Sequence, residues 1–283
     1  MNRRAVLGLG GTALLSSITA CGSTAEKASA DWATAAIRLG FSQVGAEGGW
    51  RAANTQSIKE SAGNSNVDLT FSDGQGKQEN QIAAIRSFID QKLDVIAFSP
   101  IVETGWSEVL GLARAAKIPV VLTDRLIDPP DDTLYRSSVG ADFISEGNQA
   151  ALYLLQEFQN VRRTVNVVVL EGVADAAPTK QRAHGFREIL EKQPRFEVVD
   201  SLSGQWTRAG GATAMRTLVK RHDRIDAVFA QNDDMGLGAA DVLERDGRQP
   251  GKDVKLVTVD GTRAALTALA AGRLNYVVEC SPV

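Results

Sequence analysis

The chain has 283 residues with 31 basic and 34 acidic side chains and a formal net charge of −3 at pH 7. Its basic residues are scattered, which excludes a phosphate-tracking surface and leaves no nucleic acid partner. The two histidines, His184 and His222, stand in no metal-ligand spacing with each other or with the two cysteines, Cys21 and Cys280, so a zinc centre is excluded and no metal or cofactor is implied.

In chain order, the first element reads as an export signal. Asn2-Arg3-Arg4 is a short basic region, and Ala5 to Leu15 is an apolar core too brief to cross a bilayer as a mature helix. Ile18-Thr19-Ala20-Cys21 then has the pattern of a lipobox. Residues 1–20 are therefore expected to be removed as a lipoprotein-type signal peptide, with Cys21 as the acylated first residue that anchors the protein to the membrane. The paired arginines also resemble a twin-arginine signal, with Asn2 in place of the usual Ser or Thr, so Sec and Tat export both stay open. Residues 21–35, rich in Ser, Ala and Thr, have no apolar periodicity and form a lipid-anchored tether. The expected location is periplasmic or on the outer face of the cell membrane. With Cys21 acylated, Cys280 has no disulfide partner and is expected to be a small buried hydrophobe.

Beyond the signal, about 260 residues suffice for two α/β lobes. Strand-like apolar runs cover Ile37 to Ser42, Asp68 to Ser72, Val95 to Ser99, Pro119 to Thr123 and Tyr135 to Val139. A second series covers Asn166 to Glu171, Phe196 to Leu202, Ala227 to Ala230, Leu256 to Val259 and Asn275 to Glu279. Between them lie stretches with apolar residues at spacings of three and four, such as Gln78 to Gln91, Trp106 to Ala116, Gln181 to Lys192 and Gly211 to Lys220. Repeated βα units with apolar strands imply parallel sheets covered by helices on both faces. The fold class is α/β, with two doubly wound parallel-sheet lobes. The expected N-terminal lobe spans 36–140 and the C-terminal lobe 141–279, with the boundary near Gly140-Ala141-Asp142.

In such sheets ligands bind beyond the carboxyl ends of the strands, and the residues there are strongly polar or aromatic. Ser42 to Arg51 follows the first strand and includes Glu47, Trp50 and Arg51; Asp124-Arg125 follows the fourth. Arg182 lies on the helix after Glu171-Gly172, Trp206 follows Leu202-Ser203, Gln231-Asn232-Asp233-Asp234 follows a later strand, and Asp260-Gly261 another. Indoles offer flat apolar faces to C–H surfaces, while guanidiniums, carboxylates and an amide offer donors and acceptors to hydroxyls, a set suited to a sugar. One of Asp233 and Asp234 is expected to cap the helix that starts there, leaving Asn232 for the ligand.

Several runs then carry a resemblance. They are Gly40 to Arg51 (GFSQVGAEGGWR), Asp73 to Gln81 (DGQGKQENQ), Thr104 to Trp106, Asp124-Arg125, Asn232 to Met235 and Pro250 to Asp253. Together they resemble the type I periplasmic sugar-binding proteins of ABC transporters, most of all the galactofuranose-binding component within the ribose/galactose-binding-like family, from about Ile37 to the last residue. The resemblance implies that Glu47, Trp50 and Arg51 contact the sugar, that Asp124 and Arg125 sit at the lobe junction, and that Arg182, Asn232 and Asp260 act from the second lobe. It also implies that Trp206 stacks on the sugar as an aromatic does in ribose-type relatives. Gln231 replaces the histidine of the galactofuranose branch and matches the ribose type. Relatives cross back to the first lobe where this chain has residues 280–283 and add further elements, so the first lobe is expected to expose sheet or helix faces.

The expected function is capture of a monosaccharide, galactofuranose or a related sugar, between lobes that close about a hinge, followed by delivery to an ABC transporter permease. The alternative is a sensing subunit that presents the bound sugar to a membrane receptor. An enzyme is not expected: there is no G-x-S-x-G elbow, and Gly76-Lys77 lacks the preceding glycine and following Ser or Thr of a phosphate loop.

Overall fold

The computed structural model describes residues 35–128 and 133–282. The signal peptide, Cys21 and all but the last residue of the tether lie outside the described residues. Those described form ten strands and eight helices that alternate except where β5 follows β4 directly. The first half runs β1 (Ile37–Gln43), α1 (Gly49–Gly63), β2 (Val67–Asp73), α2 (Gln78–Asp90), β3 (Val95–Phe98), α3 (Ser107–Ala115), β4 (Val120–Thr123) and β5 (Ser137–Val139). The second runs α4 (Phe143–Glu157), β6 (Val165–Glu171), α5 (Ala177–Leu190), β7 (Phe196–Ser203), α6 (Arg208–Arg221), β8 (Ala227–Ala230), α7 (Asp233–Arg245), β9 (Lys255–Asp260), α8 (Arg263–Ala270) and β10 (Tyr276–Glu279).

Two five-stranded sheets result, ordered β2-β1-β3-β4-β5 and β7-β6-β8-β9-β10. Every strand pairing in them is parallel. The order is the same in both lobes, so each sheet reverses direction of build beside its first strand, at β1/β3 and at β6/β8. At such switch points the loops leaving the strands diverge and open a crevice.

The second sheet shows why its strands are apolar throughout. Val168 and Leu170 of β6 point into a core with Met215 and Leu218 of α6 and Leu237 and Leu243 of α7. Their neighbours Val167 and Val169 point the other way, against Ala150 and Leu154 of α4 and Phe186 of α5. With side chains alternating across the sheet, both faces need cover and both have it. Helices α4 and α5 approach closely enough that a Cβ on Gly147 would lie 2.2 Å from the Arg182 carbonyl oxygen, and one on Gly185 would lie 2.1 Å from that of Ile144. This close crossing holds Arg182 beside Glu146.

The first sheet is fully covered on one face only, in keeping with the expected exposure of first-lobe sheet or helix faces. One face packs Ile96, Phe98, Val120 and Leu122 on Ile85 and Phe88 of α2 and Val109 and Leu110 of α3. On the other, α1 covers only part of the sheet, leaving a groove of about 540 Å³ lined by Leu39, Phe41, Ala97, Ile58 and Ala62 among others. Accordingly β2 is mostly half-buried and β5 is exposed along its length. After β10 the chain lies against α1: Trp50 Nε1 donates to the Cys280 carbonyl at 2.6 Å, and Asn54 Nδ2 donates to that of Pro282 at 3.0 Å.

Candidate functional site

The nine residues singled out from the sequence converge on one cavity. Glu47, Trp50, Arg51, Asp124, Arg125, Arg182, Trp206, Asn232 and Asp260 all line one narrow space of about 30 Å³, together with Phe143, Pro178 and Cys280. Each first-lobe member follows the carboxyl end of β1 or β4. The second-lobe members follow β6 to β10, except Phe143, which opens α4.

On the first lobe four charges form a closed ring. Arg125 Nη2 lies 2.5 Å from Glu47 Oε2, and Arg51 Nη2 lies 2.5 Å from Asp124 Oδ2. The ring is completed by Glu47 to Arg51 at 3.7 Å and by Asp124 to Arg125 Nε at 3.5 Å. Arg51 and Arg125 are 4% and 3% exposed, so these are interior pairs, not surface ion pairs. Burial alone raises the Asp124 carboxyl pKa, but the Arg51 and Arg125 guanidiniums outweigh it and hold the group below the usual carboxylate range.

On the second lobe Arg182 is fixed from two sides. Its Nε donates to Glu146 Oε2 at 2.7 Å and its Nη1 donates to the Gln231 carbonyl at 2.7 Å. Burial opposes its charge, but the Glu146 carboxylate hydrogen-bonded to it keeps the guanidinium firmly protonated. Asp260 behaves in the opposite way. Burial raises its pKa well above the normal value; Arg182 opposes this only in part and Asp233 adds to it, so the charged form is disfavoured. Burial likewise pushes up the Cys280 thiol, a free, buried cysteine that forms part of the cavity wall.

Asn232, rather than Asp233 or Asp234, is the N-cap of α7. Its Oδ1 accepts from Met235 N–H at 3.0 Å and its Nδ2 donates to the Trp206 carbonyl at 3.0 Å. Asp233 turns inward, where it accepts from the Thr258 hydroxyl at 2.6 Å and from the Gly261 and Thr262 N–H groups at 2.9 and 2.7 Å. Gln231 is also committed to structure, accepting from Gly172 N–H and donating to the Thr179 carbonyl. Trp50 does two things: its ring packs on the second-lobe core and also lines the cavity, with the Arg51 guanidinium 4.7 Å from its centroid. The Trp206 ring lies 5.8 and 6.0 Å from the Arg182 and Arg125 guanidiniums, and the absence of a Cβ on Gly172 makes room for it.

Two features mark the cavity as a recognition site. Arg51 Nε, Arg125 Nε, Trp206 Nε1 and Asp260 Oδ2 are buried without a hydrogen-bond partner. Such atoms are uncommon, and here four belong to residues that line this cavity from both lobes. Asp124, Trp206 and Asp260 also have φ of 62°, 61° and 131°, a region that side chains other than glycine's rarely adopt and that costs on the order of 1–3 kcal/mol each. Sequence inspection missed Phe143, Pro178, Cys280 and the buried Glu146. Only Cys280 and Pro178, next to a strand end and a helix start, had a positional signal.

A family model for the periplasmic binding protein domain matches residues 39–281. The chain belongs to that family. It is 41% identical over 251 residues to the galactofuranose-binding protein YtfQ of Escherichia coli (strain K12), an alignment covering 88% of this chain and 78% of that protein. A crystal structure from Mycobacterium smegmatis in complex with β-D-fucofuranose is 50% identical with a TM-score of 0.86, covering 87% of this chain and 81% of that one. The binding component of the arabinose ABC transporter from Shewanella sp. ANA-3, bound to α- and β-L-arabinofuranose, is 40% identical with a TM-score of 0.84 and covers 87% and 81%. The relatives of this periplasmic binding protein are solute-binding proteins, not enzymes.

Proposed function

We propose that this protein captures an uncharged monosaccharide in its five-membered-ring form and passes it to an ABC transporter permease. The observation that carries the reading is the charge balance of the cavity. The three guanidiniums of Arg51, Arg125 and Arg182 are matched one to one by the carboxylates of Asp124, Glu47 and Glu146, and burial disfavours the charged form of Asp260. Such a site offers many donors and acceptors but no net field, which suits hydroxyl groups and disfavours phosphate esters or acidic sugars. That galactofuranose, fucofuranose and arabinofuranose are named for the relatives supports a furanose ligand.

In this reading Glu47, Trp50, Arg51, Asp124 and Arg125 meet the sugar from the first lobe and Arg182, Trp206, Asn232 and Asp260 from the second. The ligand favours the closed arrangement because it touches both lobes. Calorimetry with D-galactose, D-fucose and L-arabinose beside galacturonate and fructose 6-phosphate tests it. Binding of the neutral sugars alone is expected; preference for an acidic ligand overturns it. The proposal places the protein outside the cytoplasm, anchored through Cys21. Cells fed labelled palmitate are expected to label the wild type and not Cys21→Ala, and equal labelling of both removes the anchor.

A further inference from the structure

Helix α1 begins without a cap of its own. Its N-cap is Gly48, at φ 105°, which has no side chain, and the first turn contains no acidic residue. A helix start of this kind leaves N–H groups without a local acceptor and the positive end of its dipole uncompensated. The acceptor comes from the other lobe. Asp234, in the first turn of α7, accepts from Gly49 N–H through Oδ2 at 2.8 Å, across 185 positions of sequence.

The flanking residues show that this contact is specific to Asp234. Asn232 caps α7, and the Asp233 carboxylate is filled by Thr258, Gly261 and Thr262. Asp234 alone of the three reaches across the cleft. A Cβ on residue 48 would lie 2.3 Å from the same Oδ2, so the missing side chain that deprives α1 of a cap also admits the foreign one. The turn thus held carries Trp50 and Arg51, two residues of the cavity wall. On another part of the cleft Glu103 pairs with Lys180, but that lysine is half exposed, and exposed pairs contribute little.

We propose that Asp234 is a positioning residue for sugar binding: it caps α1 from the opposite lobe, fixes Trp50 and Arg51 against the second lobe, and sets the rate at which bound sugar escapes. This rests on the sugar-capture reading. Because the cap forms only when the lobes meet, it acts on the closed state and leaves the separated lobes unaffected.

The experiment compares wild type, Asp234→Ala, Asp234→Asn and Lys180→Ala in the full chain. The probe is whichever of D-galactose, D-fucose or L-arabinose the wild type binds. Asp234→Ala is expected to raise Kd roughly fivefold, the typical effect of losing a cap, with the change in the dissociation rate. Asp234→Asn, which keeps an acceptor oxygen, is expected to recover part of the loss, and Lys180→Ala to change Kd less than twofold. The melting temperature without sugar should be the same in all four, and with sugar the α1 first-turn amides should exchange faster in Asp234→Ala. An unchanged dissociation rate, or a lower melting temperature of sugar-free Asp234→Ala, overturns the clasp while sugar capture stands. Failure of the wild type to bind any of the sugars overturns both.

Discussion

Arg125→Ala separates two consequences that one guanidinium combines. Arg125 is 3% exposed, neutralises Glu47 at 2.5 Å, and keeps Nε without a hydrogen-bond partner in the cavity wall. Losing a charged donor to a sugar hydroxyl costs about 1.5–3 kcal/mol, or roughly 10- to 150-fold in Kd. Loss of the pair also leaves Glu47 without its nearest cation. Arg51, at 3.7 Å, is already bound to Asp124, but Glu47 keeps 12% exposure, so the destabilisation should fall below the ~3–5 kcal/mol of a fully buried broken pair. The double variant Arg125→Ala/Glu47→Gln removes the stranded charge. Calorimetry and thermal unfolding on wild type, both single variants and the double form a cycle. Stability is expected to return in the double variant while affinity does not. Affinity regained in the double variant, or undiminished in Arg125→Ala, refutes a direct sugar contact by Arg125.

Other tests follow from the same geometry. Gly172→Ala places a Cβ 2.0 Å from the Trp206 ring; it should cost ~1–3 kcal/mol, shift the tryptophan emission and weaken sugar binding, and normal binding by calorimetry counts against the ring as a ligand face. Trp50→Phe loses the 2.6 Å bond to the Cys280 carbonyl and should lower stability by about 1 kcal/mol in denaturant titration. The folded pKa of Asp124 is lowered, so its contribution is present above the unfolded value near 4 and is lost as pH falls through the folded one; acid unfolding should shift towards neutral pH in Asp124→Asn. Asp260 has a raised folded pKa, so its contribution is present below the unfolded value and is lost as pH rises through the folded one. Sugar-free Asp260→Asn should therefore melt higher than wild type at pH 8, with the gap closing on acidification, although sugar binds it less well.

Strands β6, β8 and β9 were legible because burial on both faces leaves continuous apolar runs, and all ten strands form within two residues of the expected ends. Helix α1 was not legible. Of its residues only Arg51 and Ala62 are buried, since one side looks onto the open groove, so no apolar stripe marks it. The site was legible as a set of strand-end residues, because topology converts sequence position into spatial position. What each side chain does there was less so. Three consecutive cap-competent residues, Asn232, Asp233 and Asp234, are equivalent on paper, and only tertiary context assigns one to α7, one to the Thr258 layer and one to α1. Glu146 was invisible: an acid in the first turn of α4 reads as dipole compensation, whereas it is buried and pairs with Arg182 at 2.7 Å.

Why a neutral ligand should meet three guanidiniums follows from the pairing. A sugar hydroxyl both donates and accepts, so it needs fixed donors beside fixed acceptors, and an arginine locked by a carboxylate supplies both without side-chain ordering at the moment of binding. If the cations were unpaired, small anions would compete for them; if the acids were unpaired, burial would raise their pKa, as it does at Asp260. The ring of Glu47, Arg51, Asp124 and Arg125 avoids both outcomes. A phosphate ester entering this balanced site would find no surplus positive charge and would have to give up its own hydration, so the proposed exclusion of charged sugars and retention of neutral ones would have a single electrostatic origin.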